Sequence, residues 1–445
     1  MKVAIMGTIL MLTSLSLPAA LAGPLLPSAE ATPTRAIAPV NWNKAQLIHT
    51  IDLTQLYPNT VCPVYAINTT LSPDDRTLAV SSDSFERSCG SSGPNITLTL
   101  WDMLSAQRTA TLLQGNVDEF WGDSPIQQQE PPELTNLYLK GDMVYEPTFT
   151  PDGAVVAAGL SNSTIKLWNA KTGSVLHTLK GHAYAVHGIA IRPDGQVLAS
   201  ASSDKTIKLW NIKTGQLIRT LGPAREAAIK LDFSPDGQRL LSTTQDSNIH
   251  LWNVQSGERI RTIPIHRQGA TVWLPARLNP SRIRLGAADS ILATADMDHS
   301  IKLWNARTGA RIVTMKGHQD SIQSLTFSPD GKMLASSSQD GTLKLWSLTS
   351  LQQARSFQLV ADRRDTWQRR LGYDLDFSPD GQTIAVTNLV ETASHPPEPV
   401  NLLNTNTGQI VFEVPGSSGA TSFQFTADGQ GFVTTSGATV QIWRR

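Results

Sequence analysis

With 445 residues the chain can bury a large core, and by length alone it would suit about three ordinary domains. Lys plus Arg and Asp plus Glu both number 37, so no overall field draws the protein to nucleic acid or anionic lipid. Any basic surface has to be local.

The chain opens on "MKVAIMGTILMLTSLSLPAALA", with one positive charge at Lys2, an apolar run to Leu17 and small residues at Ala20 and Ala22. This pattern predicts a secretory signal peptide over residues 1–22, cleaved after Ala22. An uncleaved anchor is the alternative, because the run nearly reaches bilayer length. Pro18 and the polar Thr13, Ser14 and Ser16 favour cleavage, and no Cys follows the site to take a lipid. Residues 23–43 are rich in Pro and Ala without a period and read as an extended leader, with the folded domain over 44–445. The expected location is exported, periplasmic or extracellular, with no stable membrane insertion after cleavage.

Self-similarity dominates the remainder of the chain. "STIKLWNAKTGSVLHTLKG" from Ser163 recurs as "KTIKLWNIKTGQLIRTLGP" from Lys205, "SNIHLWNVQSGERIRTIPI" from Ser247, "HSIKLWNARTGARIVTMKG" from His299 and "GTLKLWSLTSLQQARSFQL" from Gly341. Trp168, Trp210, Trp252, Trp304 and Trp346 stand 42 residues apart except for one step of 52. Divergent copies flank them: "ITLTLWD" ending at Asp102, "PVNLLNTNTGQIVFEV" with Leu403 in place of Trp, and "ATVQIWRR" at the end. Each unit has one grammar. A strand runs into "FSPDG" or a variant, where Pro presets the turn, Asp bonds nearby backbone and Gly takes the left-handed position. A small-residue strand, an Asp-containing turn, the Trp strand, an "N-x-x-T-G" turn and a fourth strand come next. In "TIKLW" the Ile and Leu share one face and the Thr, Lys and Trp the other, which suits a sheet packed on both sides with the Lys stem along its neighbour. Four antiparallel strands every 40 or so residues specify one propeller blade each.

In these motifs the chain resembles the WD40 repeat family over nearly everything from Gln46 to Arg445. Trp-Asn replaces the family's Trp-Asp ending except at Trp101-Asp102. The resemblance implies a bracing tetrad of His, Ser or Thr, Asp and Trp. Two units match it in full: His182, Ser200 or Ser202, Asp204 and Trp210; then His318, Ser336 or Ser338, Asp340 and Trp346. Elsewhere the His is missing, although Asp246 with Trp252 and Asp298 with Trp304 keep part of it.

"QLIHTI", Gln46 to Ile51, matches the fourth strand "QLIRTL" but has no other strands before it, and "VQIWRR" ends on a Trp strand with no fourth strand after it. Pairing the two removes both exposed edges. The expected fold is all-β, a single β-propeller of eight four-stranded blades whose last blade is closed by the N-terminal strand. Seven blades, the commoner number in the family, is the alternative, and would apply if Val64 to Leu113 or Thr383 to Val414 were not a blade.

The resemblance implies that blade connectors and the turns between second and third strands lie on one upper face. The longest interruptions fall there, over blades seven, eight and one. They are "QGNVDEFWGDSPIQQQEPPELTNLYLKGDMVYEP" after blade one, "DRRDTWQRR" between blades six and seven, and "NLVETASHPPEP" within blade seven. Cys62, before blade one, and Cys89, in its upper turn, are expected on that face too, and are expected to pair as a disulfide in an oxidising compartment. Blade five is expected to carry its extra residues in "TVWLPARLNPSRIRLGAADS", on the lower face in place of the Pro-Asp-Gly turn, with Arg277, Arg282 and Arg284 as solvated charge.

No H-E-x-x-H, G-x-S-x-G, phosphate-cradling Gly-Lys loop, G-x-G-x-x-G or C-x-x-C-H occurs. His182 and His187 are five apart, but the tetrad accounts for His182, so no metal pair is expected. The turn aspartates fall one per blade and do not form a calcium loop. Quinone-dependent dehydrogenases are also exported eight-bladed propellers, but their Trp-docking motif, adjacent cysteines and calcium site are missing here. No cofactor and no metal are expected. The favoured reading is a non-enzymatic scaffold that binds a protein or peptide, an acidic one by preference, through Arg363, Arg364, Trp367, Arg369, Arg370, Phe120 and Trp121. Arg gives bidentate contacts and Trp an apolar anchor. The competing bland reading is that Trp367 packs on its blade and the arginines pair with Asp362, Asp365 or Glu391. An envelope enzyme acting on a small molecule or glycan at the channel mouth is the alternative function, and nucleic-acid binding is disfavoured by charge.

Overall fold

The computed structural model describes residues 41–57, 64–84, 96–115, 147–222, 227–244, 248–264, 283–285, 291–296, 298–306, 308–359, 373–388 and 399–445. These residues form eight antiparallel sheets of four strands. Blade three shows the plan: Val186–Ile191, Val197–Ser202, Ile207–Asn211 and Leu217–Leu221, each paired with the next. The first two strands meet at a turn in which Asp194 Oδ1 accepts the Gln196 N–H at 2.9 Å and Gly195 takes φ +72. Six other blades add a hydroxyl to this device. Ser72, Thr150, Ser234, Ser328, Ser378 and Thr426 each donate to the turn aspartate two residues on, at 2.5 to 2.6 Å.

On the third strand Ile207, Leu209 and Trp210 are all buried, while the Lys208 stem runs along the sheet to donate to Thr220 Oγ1 at 3.0 Å. Apolar clusters join neighbouring blades: Leu167 and Leu179 of blade two meet Leu198 and Trp210 of blade three. Each Trp thus faces the preceding blade, so no blade buries its own core alone.

The ring holds eight blades. Both doubtful units are complete, the first as Val64–Leu71, Thr77–Ser84, Ile96–Asp102 and Arg108–Gly115, the other as Tyr373–Phe377, Thr383–Asn388, Asn401–Asn404 and Ile410–Glu413. The last sheet takes Ala420–Phe425, Gly431–Ser436 and Thr439–Arg444 from the C-terminal end and Gln46–Asp52 from the N-terminal end. Thr50 stands opposite Gln441 and Ile51 opposite Val440. Just before this strand Trp42–Lys44 forms a 3-10 turn started by the Asn41 side chain, and Trp42 is 1% exposed. Its ring lies 5.4 Å from Phe425 and 5.5 Å from Phe432, and its N–H donates to Thr383 Oγ1 of blade seven at 3.2 Å. The last residues of the expected leader are therefore folded onto the ring, whereas residues 1–40 lie outside the described residues.

Two expectations are corrected. No disulfide occurs among the described residues, and Cys62 and Cys89 both fall outside them, so the expected Cys62–Cys89 bond is withdrawn. Blade one has other ties at that end: the Tyr57 hydroxyl lies 3.1 Å from Ser82 Oγ and 3.3 Å from Thr97 Oγ1. In blade five the first strand is Ile283–Leu285, with Ile283 opposite Thr294. Residues 265–282 therefore precede it, as the connector from blade four, and do not belong to a lower turn. Pro275 and Pro280 explain the misreading, since neither can donate to a ladder, while "IRL" alternates as a strand should.

Candidate functional site

The braces of blades three and six are built alike. The His182 Nδ1–H donates to Asp204 Oδ2 at 2.7 Å, His182 Nε2 accepts from Ser200 Oγ at 2.7 Å, and the Trp210 indole N–H donates to the same Ser200 oxygen at 2.8 Å. In blade six His318 meets Asp340 at 2.9 Å and Ser336 at 2.7 Å, and Trp346 meets Ser336 at 2.8 Å. Of the hydroxyl pairs left open by sequence, Ser200 and Ser336 are the members. Ser202 and Ser338 instead donate to Tyr184 O and Asp320 O and accept the N–H of Asp204 and Asp340. Sequence reading missed a fifth member: Thr206 and Thr342 each donate to the brace aspartate at 2.6 Å. Burial alone would raise the Asp204 and Asp340 pKa values. Hydrogen bonds from the histidine, the threonine and the Ala183 or Gln319 N–H outweigh it and hold both well below the usual carboxylate value.

Ser, His and Asp in this order are also the members of a nucleophilic triad. Here Ser200 and Ser336 are 0% exposed, and each oxygen already takes an indole N–H. No carbonyl can approach, so the set is a brace that ties the upper turn to the blade's core. His187 lies apart from it, 2.5 Å from Ser203 Oγ, and burial pushes its pKa down to about 4. Among the described residues no three His, Cys, Asp or Glu side chains could hold a metal ion.

The other blades keep the brace in part. Trp252 donates to Ser242 and Trp304 to Thr294, both at 2.9 Å, and Asp298 accepts from Ser300 as Asp204 does from Thr206. Alignment on the fourth strands puts His266 of "TIPIH" where His182 stands in "TLKGH", so blade five does have the histidine in sequence; His266 and Asp246 lie outside the described residues. In blade two the residue in the place of Ser200 is Ala158, and the buried Trp168 N–H has no partner. In blade one it is Val80, and Trp101 turns to Thr99 at 2.8 Å.

The seams between blades carry a second repeated device. In four of the eight outer strands a side chain crosses to the turn of the next blade and donates to a carbonyl there: His49 to Leu104 O at 2.7 Å, His177 to Lys213 O at 3.0 Å, Arg219 to Ser256 O at 2.6 Å, Arg261 to Thr308 O at 3.0 Å. Glycine makes room below, as at Gly408, where φ is +71 and a Cβ would come within 2.1 Å of Phe357.

The expected docking residues Phe120, Trp121, Arg363, Arg364, Trp367, Arg369 and Arg370 all lie outside the described residues. The strands that flank them are in place. Connectors and second-to-third turns leave the ring at one end, because connector residue His182 bonds turn residue Asp204.

Eight four-stranded blades closed into a ring define an eight-bladed β-propeller, and the repeated Trp strand and the two braces make its blades similar to WD40 repeats. A family description, "WD domain, G-beta repeat", matches residues 140–169, 173–211, 215–253 and 309–347. Among curated proteins the chain is similar to the periodic tryptophan protein 2 homolog of Neurospora crassa, 30% identical over 126 residues, covering 28% of this chain and 13% of that protein. It is also similar to a coronin-like protein of Saccharomyces cerevisiae, 39% identical over 61 residues (14% of this chain, 9% of that one), and to coronin-7 of Mus musculus, 43% over 60 (14% and 6%). The chain thus spans only a small part of the length of these relatives. Among solved structures the computationally designed Ika8 protein aligns with a TM-score of 0.59 at 21% identity, over 86% of this chain and 97% of that one, a likeness of fold.

Proposed function

We propose that the protein is an exported, non-enzymatic scaffold that binds a protein or peptide through its upper-face insertions over blades seven, eight and one. The observation that carries this reading is the clustering of Arg and aromatic residues in the longest interruptions of an otherwise regular repeat. Arg363, Arg364, Arg369 and Arg370 flank Trp367, while Phe120 and Trp121 stand in the insertion after blade one. The topology supports it: these segments are connectors or second-to-third turns by chain order, and such segments share the ring end marked by His182 and Asp204. A rigid ring presenting long loops at one end suits docking, since loops supply contacts and the scaffold removes their freedom. The fold belongs to a class that typically works by binding, and its best Ser-His-Asp set is sealed in the core.

The test compares capture of envelope proteins by the wild-type chain and by a variant with Arg363, Arg364, Arg369 and Arg370 all replaced by Ala. At least one partner is expected to drop by roughly tenfold or more, as for interfaces anchored by Arg. Equal capture by both would refute the docking surface, and turnover in a hydrolase or dehydrogenase panel would favour an enzyme instead.

A further inference from the structure

Two neighbouring seams are built from nearly the same residues, and their few differences open one of them. Between blades three and four, Arg219 lies along Gly257; between blades four and five, Arg261 lies along Gly309. Behind each stands an indole, Trp252 or Trp304, opposite a second arginine, Arg259 or Arg311. At the first seam Leu221 also reaches across, with its δ-carbon 3.2 Å from where a Cβ on Gly257 would be, and Trp252 is 3% exposed. At the second seam Ile263 takes the place of Leu221. Its β-branch keeps its carbons close to its own strand, and the three atoms nearest a Cβ on Gly309 all belong to Arg261. Trp304 is left half-buried. What remains is a cleft of about 340 Å³ lined by Arg261, Ile263, Lys302, Trp304, Gly309 and Arg311.

The cleft is also short of negative charge. Lys302 is paired with Asp296, but neither Arg261 nor Arg311 has a carboxylate within ion-pair distance among the described residues. Glu258, which precedes Arg259 at the first seam, is replaced by Ala310 before Arg311. The Trp304 N–H is already bonded to Thr294 Oγ1, so the indole offers a visitor only its ring.

We propose that this cleft is a second docking site, on the outer wall of the propeller, for an acidic peptide segment. Two carboxylates pair with the Arg261 and Arg311 guanidiniums, and an apolar side chain between them lies against the Trp304 ring. Arg261 uses one Nη1 donor on Thr308 O and keeps the others for the ligand. Charge-assisted bonds to guanidinium and an aromatic floor are the pairing that recognises such a segment.

A fluorescently tagged Glu-Leu-Glu peptide, with Gln-Leu-Gln as its uncharged counterpart, is titrated against the full chain by anisotropy. Glu-Leu-Glu is expected to bind more tightly than Gln-Leu-Gln and to weaken as salt is raised. Affinity is expected to fall roughly tenfold or more in the double variant R261Q/R311Q, and severalfold in R311Q alone with an unchanged melting temperature. The variant with the four upper-face arginines replaced is expected to bind the peptide like wild type, which separates this site from the one proposed above. Equal binding of the two peptides, no binding of either, unchanged affinity in R261Q/R311Q, or loss only in the upper-face variant would each overturn the proposal.

Discussion

Replacing Trp42 by Ala is expected to lower the stability of the whole ring by about 3–5 kcal/mol, the range for deleting a large buried aromatic side chain. Trp42 sits between two blades. On one side are Ala385, Val400 and Leu402 of blade seven, on the other Phe425 and Phe432 of blade eight. Its removal leaves a cavity at the seam where the chain ends meet, and the Thr383 hydroxyl loses the indole donor. Deleting residues 41–52 goes further, because Thr439–Arg444 then becomes a bare edge strand open to other chains. Chemical denaturation followed by circular dichroism reads the first effect, and size-exclusion chromatography reads association in the second. A Trp42→Ala variant within about 1 kcal/mol of wild type would show that the seam does not depend on this residue.

The next largest effect is expected at the braces. Asp204→Asn and Asp340→Asn each remove a charge that takes hydrogen bonds from His, Thr and backbone N–H, and each is expected to lose roughly 1.5–3 kcal/mol at neutral pH. The pH dependence has a definite sign. The folded-state pKa of both carboxylates lies below the ordinary aspartate value of 3.8, so their contribution is complete above that value. It is lost as pH falls through 3.8 toward the folded pKa, because the unfolded chain then binds the protons more readily. Wild type should therefore lose stability steeply below about pH 4, and the double variant, already weaker at neutral pH, should show a shallower slope there. Equal slopes in urea-unfolding free energy between about pH 5 and pH 3 would contradict this role for the two aspartates.

Much of the ring is visible in particular residues. The Trp strands and Pro-Asp-Gly turns announce blades because each turn needs a φ that Gly supplies and a carboxylate that bonds backbone two residues on. "QLIHTI" without a preceding blade announces the closure, because an orphan fourth strand needs a third to lie on. Other features are hidden for physical reasons. Ser200 and Ser202 share one strand face, so alternation cannot choose between them; the depth of the imidazole does. Trp42 lies in a Pro- and Ala-rich stretch with no period, and only the aromatic cluster of blades seven and eight shows why it is there. The cleft at Arg261 depends on one β-branch, Ile263 against Leu221, a difference too small to mark a site until the two seams are compared. The cationic insertion "DRRDTWQRR" is prominent in sequence because it breaks the repeat, and its role rests on binding experiments.

The closure of the eighth blade by the N-terminal strand is tested most directly by a crosslink. Thr50 and Gln441 stand opposite each other across the last pair of strands, at a separation that a disulfide can bridge in antiparallel sheets. With Cys62→Ser and Cys89→Ser as background, Thr50→Cys with Gln441→Cys is expected to oxidise to a single intramolecular bond. The protein would then run as a compact, circularised monomer on non-reducing gels. Free thiols after oxidation, or disulfide-linked dimers in place of the monomer, would contradict a ring closed within one chain.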